Sequence, residues 1–190
     1  MTKYFLSAVL MLTTASAIAQ TSVSKKNGKI VLQNGGKQTV VTDSKDAGTP
    51  YLYNNKVYYL QKSAVNGNTK ITSYDVVSNQ NTDVVRIGMK SDDGYTVKSD
   101  ITNMILNANK GLIYFTTLDT YNGTPYSLTW LYNINDGKYK VFSDGKLDNI
   151  DYENNVTVVF EGIDPKGHYT QMAHYTIDHD LIKMDDRLYK

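Results

Sequence analysis

Cysteine is absent from the 190 residues. That absence excludes disulfides, thiolate metal sites and a cysteine nucleophile, so cohesion has to come from burial and backbone pairing alone. Glutamate is almost missing too, Glu153 and Glu161 being the only copies, and Trp130 is the only tryptophan. No sign of charge prevails: 20 Lys and Arg face 19 Asp and Glu, with no long run of either. Nucleic acid is not an expected partner, because phosphate recognition requires a concentrated positive stripe. Beyond residue 12 no apolar stretch approaches the length needed for a membrane span. No window of a dozen residues carries a 3.6-residue apolar stripe with caps, which leaves helices out of the expected fold.

What is present begins with Lys3, the apolar run Tyr4 to Leu12, and the small-residue stretch Ala17-Ile18-Ala19 before Gln20. That order reads as a signal peptide over residues 1–19, followed by a single all-β repeat domain over residues 20–190. The expected location is therefore periplasmic or extracellular. Tyrosine is plentiful, with 16 copies against 4 Phe. Its ring favours strands, and its amphipathic character also suits a half-wet recognition surface.

Short β-rich phrases turn on polar corners near residues 35, 79, 136 and 179, at spacings of about 44, 57 and 43 residues, within the range of repeated four-stranded units. Between them lie three further strand pairs, Tyr51 to Leu60, Met104 to Thr117 and Ile150 to Gly162, each split by an Asn- or Gly-rich turn. The expected unit is strand, turn, strand, loop, strand, turn, strand, present three times. The Lys29 to Thr42 hairpin reads as the closing half of a further one, for 14 strands in all. In Ile113-Tyr114-Phe115 and Val156-Thr157-Val158-Val159-Phe160 the apolar positions imply burial on both faces. Residues 86–101, polar and turn-rich at Lys90-Ser91-Asp92-Asp93-Gly94, read as an insertion on one rim, where repeat proteins place binding loops.

The phrases Ser73-Tyr74-Asp75-Val76-Val77-Ser78-Asn79-Gln80-Asn81 and Leu131-Tyr132-Asn133-Ile134-Asn135-Asp136-Gly137-Lys138 resemble the outer hairpins of β-propeller blades of the TolB-like and peptidase-associated kind. The likeness extends over most of residues 49–186. It implies a small or incomplete β-propeller-like array of antiparallel four-stranded units. Such propellers usually have six or seven blades, so three and a half units leave either a small ring, with Thr21 to Lys26 helping to fill it, or an arc with an open sheet edge able to self-associate. An antiparallel β-sandwich or barrel is the alternative architecture.

Few residues point to chemistry. His168, His174 and His179 could hold zinc with Asp164 or Asp178, but two of them fall in turns at opposite ends of one strand. The acidic stretch Asp144 to Glu153 lacks the regular spacing of a calcium loop. No metal site and no cofactor are expected. The best recognition candidate is the loop holding Asp119, Tyr121, Asn122 and Tyr126, two tyrosines flanking a hydrogen-bonding turn. Trp130, just after it, reads as core. The expected function is an exported binding or assembly module for an envelope protein, peptide or glycan, without catalysis. The alternative is a carbohydrate- or peptide-active hydrolase built on a carboxylate pair.

Overall fold

Val57-Tyr58-Tyr59 and Ile113-Tyr114-Phe115 are each buried without a gap. Successive side chains of a strand point to opposite faces, so an unbroken buried triplet requires a layer on both sides. The arrangement of sheets in a computed structural model supplies those layers. It describes the backbone of residues 21–151, 156–163, 169–176 and 181–186, and the side chains of residues 21–147 except Tyr121 and Thr124. The segment read as a signal peptide lies outside the described residues.

Among the described residues four antiparallel sheets follow one another along the chain. The first holds β1 (Ser22–Lys26), β2 (Lys29–Asn34) and β3 (Lys37–Thr42). The second holds β4 (Tyr51–Tyr53), β5 (Lys56–Lys62), β6 (Thr69–Asp75) and β7 (Gln80–Val85). The third holds β8 (Ile101–Asn107), β9 (Leu112–Tyr121), β10 (Thr124–Asn133) and β11 (Tyr139–Asp144). The fourth holds β12 (Lys146–Asp151), β13 (Val156–Ile163), β14 (Tyr169–Thr176) and β15 (Leu181–Asp186). Each is a plain meander, and no helix occurs among the described residues. The all-β repeat is as expected, and separate sheets rule out the sandwich or barrel. The expectation of 14 strands is corrected to 15 among the described residues, because residues 22–26 pair with β2 along their whole length.

Three apolar clusters lie between successive sheets. Ile30, Leu32 and Val41 meet Val57, Tyr59 and Tyr74 between the first and second. Tyr58, Ile71 and Val85 meet Met104, Leu106, Ile113, Phe115 and Trp130 between the second and third. Tyr114 and Leu131 meet Leu147 between the third and fourth. Val57 and Tyr59 thus face one way and Tyr58 the other, the physical meaning of the buried triplet. Each such side chain contributes about 1.5–3 kcal/mol by leaving water. Burial, with the charges of Tyr132, Tyr53 and Asp75 behind it, pushes the Tyr58 hydroxyl up to about 12.

The corners repeat atom by atom. Asp75 Oδ1 accepts the N–H groups of Val77 and Ser78, each at 2.9 Å, and the Asn79 N–H returns to the Asp75 carbonyl at 2.9 Å. In the next unit Asn133 Oδ1 accepts the Asn135 N–H at 3.0 Å, and the Gly137 N–H returns to the Asn133 carbonyl at 2.9 Å. Asn79 and Gly137 both take positive φ, 59° and 74°. An Asx residue that bonds its own backbone, closed by Asn or Gly in the left-handed region, explains why these phrases looked alike in sequence.

The insertion does not project as a rim loop. Residues 86–100 fold back on themselves through a Lys90–Thr96 bridge and dock on the outer edge of the third sheet. There Asp92 Oδ2 accepts the Tyr139 N–H at 3.2 Å, Asp93 Oδ2 accepts the Val141 N–H at 2.9 Å, and the Asp92 N–H donates to the Tyr139 carbonyl at 3.1 Å. Two carboxylates occupy donors that an edge strand otherwise offers to another chain. Burial of Asp93 opposes its ionisation, yet hydrogen bonds from the Ser91 hydroxyl and from the Val141 and Tyr95 N–H groups outweigh it and hold the carboxyl below its ordinary value. A lowered folded value means the cap is fully present above the ordinary carboxylate value of 3.8 and is lost as pH falls below it. Amide exchange should therefore show Val141 protected at neutral pH and losing protection below about pH 4. Asp93→Asn should remove the pH dependence at Val141.

The first sheet is one strand short. Its β2–β3 turn joins the last two strands before the chain passes into the next sheet, as the β6–β7 and β10–β11 corners do, so β1 to β3 match the last three strands of the other units. The place held by β4, β8 and β12 elsewhere has no occupant beside β1 among the described residues. Lys25 and Lys26 stand on that strand, the charge that blunts exposed edges.

Candidate functional site

Asn122 and Gly123 have φ of 50° and 79°, the pair of positive values that a two-residue turn between twisted strands demands. What the sequence suggested as a loop from Asp119 to Tyr126 is accordingly a hairpin tip, with Tyr121 opposite Thr124 and Asp119 opposite Tyr126. β9 and β10 are ten residues each, while β8 begins opposite Thr117 and β11 ends opposite Leu128. The hairpin therefore runs four residues per strand beyond both neighbours.

Directly opposed residues share a face, and successive ones alternate. One face of the tip carries Asp119 and Tyr126, the other Leu118 and Ser127. Asp119 is buried and accepts the Ser99 hydroxyl, which comes from the end of the insertion. Tyr126 is half-buried, and burial followed by the charges of Asp119 and Asp144 raises its hydroxyl above the ordinary tyrosine value. Asn122 is exposed at the turn. Tyr121 lies in β9, and its side chain is outside the described residues. The structure thus brings Asp119 and Tyr126 together and sets Asn122 apart at the apex. Ser99 was not singled out from sequence; it lies 20 residues from Asp119, and no local pattern joins them.

On its inner side Trp130 is wholly buried, as expected for core. Its Nε1–H donates to Thr117 Oγ1 at 2.9 Å, which fixes the base of the hairpin. Among the described residues the exposed large apolar side chains, Val40, Val65, Val77, Tyr95 and Leu118, lie on separate elements. The described residues contain no group of three metal-ligating side chains. His168 and His179 lie outside the described residues, and of the acidic stretch Asp144 ends β11 while residues 146–151 form β12, a strand where a calcium ion would need a loop. No helix among the described residues is long and apolar enough to cross a membrane.

The sheets also pack in a fixed pattern: β8 leans on β5 and β6, β12 on β8, β9 and β10, and β1 on β4, so each unit is laid against the one before. Solved structures share it. An acylaminoacyl peptidase in complex with Z-Gly-Gly-Phe-chloromethyl ketone aligns over 90% of this chain and 30% of its own, at 10% identity and a TM-score of 0.53. An oligogalacturonate lyase in complex with manganese aligns over 83% of this chain and 41% of its own, at 8% identity and a TM-score of 0.52. The fold is that of β-propeller blades. The β-propeller domain of the Trilobed protease from Pyrococcus furiosus, described as having an open velcro topology, aligns over 90% of this chain and 53% of its own, at 10% identity and a TM-score of 0.49. The chain spans 30–53% of the length of these structures. The sequence matches no family model and no curated protein. In blade terms, the described residues comprise three complete four-stranded blades and one that lacks its first strand.

Proposed function

We propose that the protein is an exported binding module that engages a peptide or glycan of the cell envelope through the tip of its β9–β10 hairpin, without catalysis. The observation that carries this reading is the projection of that hairpin past both neighbouring strands, with Tyr126 set against the buried Asp119. A half-buried tyrosine, held by its cross-strand partner and raised on a two-residue turn, presents a ring at low entropic cost, as recognition loops do. The leader-like residues 1–19 support export to the periplasm or the cell surface. The edge of β1, beside which no strand stands among the described residues, is the second surface of this reading, offered to a partner strand or a second copy, with Lys25 and Lys26 limiting indiscriminate pairing.

The test is binding of the purified protein to glycan and peptide arrays of defined composition. Tyr126→Ala should weaken any array signal at least about tenfold, and Tyr126→Phe should retain most of it if the ring stacks on the ligand. Wild-type protein that binds no array member, or Tyr126→Ala protein that binds as well as wild type, removes the hairpin from the function.

A further inference from the structure

The opposite face of the same hairpin closes one side of a hollow of about 540 Å³, lined by Thr102, Asn103, Leu118, Ser127 and Lys146. It opens where the first strands of the third and fourth blades, β8 and β12, come beside the hairpin. Two hydrogen bonds fix this junction: Thr129 Oγ1 donates to the Gly145 carbonyl at 2.8 Å, and the Leu147 N–H donates to Thr116 Oγ1 at 3.4 Å. Thr102 is held as well, its hydroxyl donating to the Thr116 carbonyl at 3.2 Å.

Two donors of the lining, on Lys146 and Asn103, face the hollow. Lys146 is exposed and has no ion-pair or hydrogen-bond partner among the described residues. Asn103 spends its oxygen on the Met104 N–H at 2.8 Å, which leaves its Nδ2 group to donate elsewhere. No carboxylate stands among the described residues that line the hollow. The charges of Asp119 and Asp144 bear on Tyr126, across the hairpin. Beside these donors stands Leu118, 50% exposed in the middle of a strand.

We infer that this hollow binds a carboxylate carried on a short apolar group, with Lys146 and the Asn103 amide taking the carboxylate oxygens and Leu118 covering the apolar part. One ammonium and one amide match a monoanion, whereas a phosphate dianion calls for more positive charge or a nest of backbone N–H groups. The site uses the face of the hairpin that the Asp119–Tyr126 pair does not, so it stands or falls apart from the role proposed for Tyr126.

Calorimetric titration with 4-methylpentanoate and its neutral amide, 4-methylpentanamide, tests it directly. The acid should bind saturably in the millimolar range and more weakly as salt is added, and the amide should bind at least about tenfold more weakly. Lys146→Gln should abolish the difference between acid and amide, and Leu118→Ser should weaken the acid severalfold; both positions are exposed, so melting temperatures serve as the check that each variant is folded. Lys37→Gln, on exposed β3, should change nothing. N-acetyl-leucine and glucuronate then separate a peptide C-terminus from an acidic sugar as the source of the carboxylate. Absence of saturable binding by all three acids, equal binding of acid and amide, or a folded Lys146→Gln variant that binds the acid like wild type overturns the proposal.

Discussion

Replacing Trp130 with alanine is expected to destabilise the protein by about 3–5 kcal/mol, a large share of the roughly 5–15 kcal/mol available to a domain. The indole is fully buried between the second and third blades. It lies 5.8 Å from the Phe115 ring centroid at an interplanar angle of 4°, and 6.4 Å from that of Tyr139. Truncation forfeits the transfer free energy of the ring and leaves a void that three β-strands cannot collapse to fill. It also strands the Thr117 hydroxyl in a dry site. Urea unfolding followed by far-ultraviolet circular dichroism measures the loss, since the variant has no tryptophan fluorescence. Trp130→Phe keeps an aromatic ring in place and loses the N–H donor, so about 1–3 kcal/mol is expected. A midpoint for Trp130→Ala close to wild type would mean that the two blades do not share this core.

Gly111→Val should cost about 2–3 kcal/mol, from the left-handed backbone and the crowding of a branched side chain together. Gly111 has a φ of 66°, and its carbonyl accepts the Ile134 N–H at 2.9 Å, tying the inner turn of the third blade to its outer corner. A Cβ there would lie 2.8 Å from Tyr53 Oη and 3.0 Å from Asn135 Nδ2. In the second blade the same job is done by Asn55, with a φ of 58° and a carbonyl accepting the Val76 N–H at 2.9 Å. Gly111→Asn should therefore be the mildest replacement, about 1 kcal/mol, because Asn tolerates this region and the two crowded groups are side-chain ends that can shift. The order wild type, Asn, Val in unfolding midpoint is the expected result. Equal midpoints for Asn and Val would show that φ does not govern the position.

The blades themselves were legible because their signals are local. The Asx corner at Asp75 is closed by hydrogen bonds to residues two to four positions on, and the same spacing recurs at Asn133. Buried triplets such as Ile113-Tyr114-Phe115 announced layers on both faces, and Asn54-Asn55 announced a turn of positive φ. The hairpin holding Asp119, Tyr121, Asn122 and Tyr126 was legible as a turn, but which of these residues would meet was not. A two-residue turn pairs Asp119 with Tyr126 by register, and that register follows from the backbone of Asn122 and Gly123 rather than from composition.

Sequence alone determined the all-β character, the repeat and the sites of the turns, since each rests on residues a few positions apart whose preferences hold in any context. Tertiary structure decided the rest. Asp92 and Asp93 reach Tyr139 and Val141 across 47 and 48 residues, Ser99 reaches Asp119 across 20, and Lys146 joins Leu118 in one hollow from the next blade. Such meetings depend on how one sheet is laid upon another, and the energy that sets this stacking is spread over whole apolar faces. No short stretch of the chain encodes it.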